Sequence, residues 1–155
     1  EMNMFQPSSL LGSALLVQDK TVDTNEHLRG KHILVYFSAH WCPPCRGFTP
    51  KLAEFYRKQQ DTSTTPFEIV FVSSDRDEKS FKEYYGSMPW AAIPFSDRAL
   101  KNKLSTTYGV AGIPMLLIFD DNGHLLSNKG REKVINEPNG FPWGSDDDVA
   151  VEETG

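Results

Sequence analysis

Residues 32–56, HILVYFSAHWCPPCRGFTPKLAEFY, decide the fold. The first eight form a nearly continuous run of apolar β-formers, the pattern of a strand buried on both faces. After HWCPPC, Phe48, Leu52, Phe55 and Tyr56 recur at helical spacing, so the strand leads almost directly into an amphipathic helix. FEIVFVS (67–73) is a second buried run. Strand, long helical connection and strand together imply a parallel, right-handed βαβ unit.

Cys42 and Cys45 are the only two cysteines. Three residues apart, they fit a working redox pair, half of a metal site or an inert staple. Cys42 falls between the strand and the helix, where unpaired N–H groups and the helix dipole favour an anion and lower a thiol's pKa. Cys45 follows one turn later on the same face, at a Cα separation of roughly 5–6 Å, which a disulfide accepts. Pro44 suits the first helical turn, where its missing N–H costs nothing, and Pro43 beside it stiffens the loop. A structural zinc site needs about four ligands; His27, His32, His40 and His124 are not clustered and a second cysteine pair is absent. A staple over so short a loop would constrain little. C-x-x-C beside a βαβ pattern therefore favours the redox pair. In that reading Cys42, nearer the helix terminus, attacks a substrate disulfide and Cys45 resolves the mixed disulfide. Arg46 adds positive charge beside the thiolate, and Trp41 offers an apolar platform that shields or presents the sulfur.

Outward from this core, ALLVQDKTVDT (14–24) reads as a hairpin turning at Asp19–Lys20, and NEHLRGK as a loop. DEKSFKEYYG places Phe81, Tyr84 and Tyr85 on a helix face ending at Gly86, with the two tyrosines divided between core and surface. MPWAAIPF is a Pro-punctuated hydrophobic connection. Leu100, Leu104 and Tyr108 step along another helix, and IPMLLIF is a strand. Asn122–Gly123 predicts a tight primed turn into LLSN, while REKVI fits helix or strand. The expected architecture is an α/β domain with a mixed central sheet and an N-terminal β-hairpin. Its bounds are an extension over 1–13, the domain over 14–143 and an acidic, disordered tail over 144–155.

The net charge of -5 comes from that tail, which carries five of the 21 acids and no Lys or Arg. The body is neutral, which argues against a general nucleic-acid binder. No apolar run is long enough to span a membrane, so no membrane association is expected. Few cysteines suggest a reducing compartment, cytoplasmic and also nuclear. No signal peptide is expected within the chain; its start at Glu1 suggests an excised piece. No glycine-rich dinucleotide fingerprint occurs, so no bound cofactor is expected and electrons must come from outside.

FSAHWCPPCRGFTPKLAEFY, MPWAAIPF, GVAGIPMLLIFDDNG and FPW together resemble the tryparedoxin/nucleoredoxin branch of the thioredoxin superfamily. The likeness runs over about residues 14–143, and WCPPCR with MPW and IP is specific to the branch. It implies a thioredoxin fold, with Cys42 as nucleophile and Cys45 as resolving thiol. Pro114 matches the cis-proline whose loop, with Ile113 and Trp41, receives a substrate peptide; Trp90 either lines that groove or packs beneath the connection. Pro50 matches the proline that kinks the active-site helix. Tyr36 stands where thioredoxins carry a buried Asp that moves a proton, and a tyrosine is a poor base at neutral pH. Asp75 is the candidate replacement; otherwise it caps the next helix. Met115 departs from the usual Thr. His40 is expected to be exposed, and Arg131 to be solvated or to meet an anionic partner.

The resemblance implies a monomeric protein-disulfide reductase acting on disulfide-containing proteins such as peroxidases or signalling proteins. Its donor would be a low-molecular-weight dithiol, or NADPH through thioredoxin reductase. The alternative is a redox-sensitive module that binds and regulates a signalling partner noncovalently.

Overall fold

The computed structural model describes residues 5–146. Seven strands form one mixed sheet: β1 (Ala14–Val17), β2 (Lys20–Asp23), β3 (His32–Ser38), β4 (Phe67–Ser73), β5 (Ala91–Ala92), β6 (Met115–Phe119) and β7 (Leu125–Ser127). Their order is β2-β1-β5-β4-β3-β6-β7. β3 runs parallel to β4 and antiparallel to β6, so the strand read first from the sequence lies inside the sheet with both edges paired.

Alternation along β3 explains its unbroken apolar run. Leu34 and Tyr36 enter one core with Phe48, Leu52 and Phe55 of α3 (Pro43–Thr62), Phe81, Tyr84 and Tyr85 of α4 (Glu78–Tyr85) and Val134 of α6 (Gly130–Asn136). Ile33, Val35 and Phe37 enter the other, with Leu11 of α1 (Pro7–Leu11), Leu28 of α2 (Thr24–Leu28) and Leu104 of α5 (Arg98–Thr107). Helices thus cover both faces of the sheet, and every second residue of β3 has its own apolar layer. Both βαβ strands and the amphipathic helix between them occur as expected.

Several local expectations change. Residues 24–28 form a helical turn rather than a loop, because the Asp23 carboxylate accepts the Glu26 N–H and caps it. The hydrophobic connection supplies a strand, Ala91–Ala92, between β1 and β4. The first hairpin turns at Gln18–Asp19, with Gln18 at φ 60°. The Asn122–Gly123 turn is not primed: only Gly123 has positive φ, and Asp120 accepts from Gly123 N and donates to His124 O. This is a type I turn closed by a glycine bulge. REKVI is helical, within α6. Tyr84 and Tyr85 are both buried, so neither takes the surface position.

The expected boundaries at 14 and 144 fall inside packed structure. Leu11 is fully buried. Asp146 donates its N–H to Leu126 O, receives the Ser127 hydroxyl and pairs with Lys133 at 3.2 Å. The rest of the expected acidic tail, 147–155, and residues 1–4 lie outside the described residues.

Candidate active site

Cys42 is the N-cap of α3. Its backbone is still extended (φ -95°, ψ 110°), and its sulfur accepts the Cys45 N–H at 3.3 Å. Pro43 and Pro44 fill the first two helical positions, where no donor is needed. The two cysteines are joined as a disulfide with Cα atoms 5.2 Å apart. Cys45 is fully buried and Cys42 is 4 % exposed, so of the two sulfurs only that of Cys42 meets the surface. That exposure is slight, less than its place at a strand end suggested. Among the described residues no cluster of His, Cys, Asp or Glu is arranged to hold a metal ion.

The Ile113–Pro114 peptide is cis, and the Ile113 carbonyl oxygen lies 3.8 Å from Cys42 Sγ. In the dithiol form that oxygen is placed to accept the Cys42 S–H. Ile113 packs directly on the cysteines and Ala39.

Beneath α3 lies a run of hydroxyls that the sequence reading missed. Thr49 Oγ1 donates to Cys45 O at 3.0 Å and sits 2.6 Å from both Tyr36 and Tyr84 hydroxyls. Tyr84 also meets Ser38 Oγ at 2.7 Å. A carbonyl can only accept, so Thr49 spends its one proton on Cys45 and must accept from both phenols. Tyr36 is therefore a donor. Burial, and then the neighbouring Tyr84, push its pKa well above the ordinary tyrosine value. It stays protonated and acts as a fastener.

The loop after β4 clasps the loop that precedes Cys42. Ser74 N–H donates to Ser38 O at 2.9 Å, and Asp75 Oδ1 accepts the His40 N–H at 2.7 Å. Trp41 Nε1 donates to Ser74 O at 3.0 Å, and the Arg76 guanidinium lies 4.9 Å from the Trp41 ring centre. Asp75 Oδ2 accepts the Ser73 hydroxyl at 2.7 Å. Both oxygens of Asp75 are thus engaged in holding loops. The cap of the following helix is Asp77, not Asp75, through the Ser80 N–H. Arg98 ties the same corner by donating to Ser73 O at 2.8 Å.

The remaining expected residues separate. Arg46 is exposed and donates to His40 O. His40 is exposed and stacks on the Tyr84 ring. Trp90 is fully buried, edge-on to Tyr36 and Tyr56, and packs beneath the connection instead of lining a groove. Arg131 lies over Phe48. Pro50 sits inside α3, where its missing N–H interrupts the backbone ladder. A cap-position sulfur, a second sulfur one turn deeper and a carbonyl at the first make a site fitted for thiol–disulfide exchange.

The family model described as thioredoxin-like matches residues 30–125. Nucleoredoxin of Danio rerio is 44% identical over 138 residues, covering 88% of this chain and 33% of that protein. The tryparedoxin of Trypanosoma brucei brucei is 48% identical over 119 residues, covering 75% of this chain and 81% of that protein. The chain thus spans about a third of the nucleoredoxin and most of the tryparedoxin. Tryparedoxin II solved in complex with glutathionylspermidine superposes with TM-score 0.80 at 36% identity, covering 85% of this chain and 92% of that one. With the mixed sheet and the Cys42–Cys45 pair, these likenesses establish that the chain belongs to the thioredoxin-like family, in its tryparedoxin/nucleoredoxin branch.

Proposed function

We propose that this chain reduces protein disulfides by cycling Cys42 and Cys45 between dithiol and disulfide. The observation that carries the reading is Cys42 at the cap of α3, with Cys45 Cα 5.2 Å away and one turn deeper. The Cys42 thiolate attacks one sulfur of a substrate disulfide; that bond breaks, the departing thiolate takes up a proton, and a mixed disulfide remains. Cys45, as thiolate, then attacks Cys42 Sγ. The second substrate sulfur leaves as a thiol, and the Cys42–Cys45 disulfide forms. Two electrons and two protons from an external donor restore the dithiol.

That donor is a low-molecular-weight dithiol or NADPH through thioredoxin reductase, and the first is supported by the thiol held in the tryparedoxin II complex. The substrate is a protein such as a peroxidase or a signalling protein, whose peptide lies along Trp41 and the Ile113–Pro114 segment. Among the described residues no helix is long and apolar enough to cross a membrane. A monomer working in the cytoplasm, and also in the nucleus, fits this reading.

Insulin-disulfide reduction tests it, with trypanothione, glutathione and NADPH–thioredoxin reductase compared as donors. Cys42→Ser is expected to abolish turnover, and Cys45→Ser to accumulate a mixed disulfide visible by mass. Full activity in Cys42→Ser would overturn the mechanism.

A further inference from the structure

Beside the cysteines opens a cleft of about 440 Å³, lined by His40, Trp41, Arg46, Asp75, Arg76, Asp77 and Ser80. Its charges are unequally committed. Asp75 uses both oxygens on His40 N–H and Ser73, and Asp77 caps α4 through Ser80. Among the described residues neither Arg46 nor Arg76 forms an ion pair. Arg46 donates to a neutral carbonyl, and Arg76 lies against the Trp41 ring. Stacking occupies a guanidinium's face and leaves its N–H edge to bond outward. Two exposed guanidiniums line a cleft in which Asp75 has both oxygens engaged and Asp77 has one.

We propose that this cleft is a subsite for an acidic side chain on the peptide that flanks a substrate's disulfide. The inference deepens the protein-disulfide reductase reading and rests on it. Chain position supports the placement: Trp41 precedes the attacking Cys42, and Arg46 follows Cys45. Two of the cleft's lining residues thus flank the redox pair in the chain, and the proposal puts the carboxylate on the residue next to the substrate's reactive cysteine. The guanidinium fork matches a carboxylate geometrically, and a lysine at the same peptide position would meet two like charges at the guanidiniums, while the lining carboxylates Asp75 and Asp77 are held by N–H and O–H donors. The subsite selects by charge, so it acts on substrate binding and on encounter rather than on the exchange step itself.

The test uses three peptide disulfides that differ only in the residue next to the reactive cysteine: Glu, Gln or Lys. Dithiothreitol serves as the regenerating donor. The wild-type protein is expected to favour Glu over Lys by about fivefold in kcat/KM, mostly through KM. The ratio should shrink towards one as salt rises, because exposed charges are screened. Arg76→Glu should bring the ratio to one or below; Arg76→Gln, a milder change, should bring it part of the way. Comparing two peptides on one enzyme preparation keeps the ratio independent of how much protein is folded. Equal rates for Glu and Lys peptides, or a preference that survives both Arg76 variants, would overturn the subsite and leave the reductase reading standing. Failure to reduce even the Gln peptide would overturn the reductase reading, and the subsite with it.

Discussion

Thr49 gives its only hydroxyl proton to the carbonyl oxygen of Cys45, 3.0 Å away and one turn back along α3. The turn that carries Cys45 is thereby tied to Tyr36 on β3 and Tyr84 on α4, both of which donate to Thr49. Thr49→Val keeps the shape and strands two buried phenol protons. We expect a loss of about 2–3 kcal/mol in denaturant unfolding. Tyr36→Phe should cost about 1 kcal/mol, and the double variant less than the sum, because each change removes the same bond.

Tyr36→Phe should also leave the shape of the pH–rate profile unchanged between about pH 6 and 9. A tyrosine pushed upward by burial and by Tyr84 holds its proton throughout that range. A shifted limb in kcat/KM would assign Tyr36 a proton-transfer role.

Asp75 holds the His40 N–H and the Ser73 hydroxyl. Asp75→Ala should lower turnover by a similar factor at every pH and reduce stability by about 1–3 kcal/mol. Asp75→Asn should recover part of both, since its amide oxygen still accepts from His40. A pH limb that moves in Asp75→Asn would instead mark the carboxylate as the proton carrier expected from the sequence.

Gly130 opens α6 against β6. A Cβ there would stand 2.7 Å from Leu116 O and 2.8 Å from Leu116 Cγ. The backbone oxygen has no freedom to retreat, because Leu116 lies opposite Tyr36 in the antiparallel β3–β6 ladder. Gly130→Ala should therefore destabilise by about 1–3 kcal/mol in thermal or denaturant unfolding. Part of the displacement should reach Pro114, two residues back, and appear as a raised KM.

Burial pushes the Asp146 carboxyl up, but the Ser127 hydroxyl and Lys133 outweigh it, and its pKa lies below the ordinary carboxylate value. A depressed carboxylate adds stability above its unfolded pKa of about 4 and loses it as pH falls through the folded value. Asp146→Asn should lower Tm at pH 7. The difference from wild type should shrink as both are taken below pH 4.

The parts of the fold legible in the sequence are those written in long runs. β3 and β4 are apolar on both faces because two helical layers cover them, and α3 carries its period over twenty residues. Ala91–Ala92 escaped because two alanines have no β-branched signature; their strand exists only because β1 and β4 flank it. The helix at 24–28 escaped for a related reason: one turn held by the Asp23 cap shows no periodicity. At the site, the cysteines and prolines are neighbours in sequence and can be read together. Thr49, Tyr84, Ser38 and Arg76 are joined to them only by folding, and each alone looks like an ordinary helix or loop residue. Trp90 shows the converse, since its place in a family motif did not reveal that its ring is enclosed.

The central place of β3 makes the stored redox energy measurable at particular amides. Val35, Tyr36 and Phe37 are bracketed by β4 and β6, so their hydrogen exchange should require opening of the whole molecule. Comparing that exchange in oxidised and reduced protein closes a thermodynamic cycle. The difference in protection is the free energy by which folding shifts the dithiol–disulfide balance away from that of the open chain. Backbone hydrogens five to seven residues upstream of Cys42 thus become a gauge of the protein's own contribution to its oxidising or reducing strength.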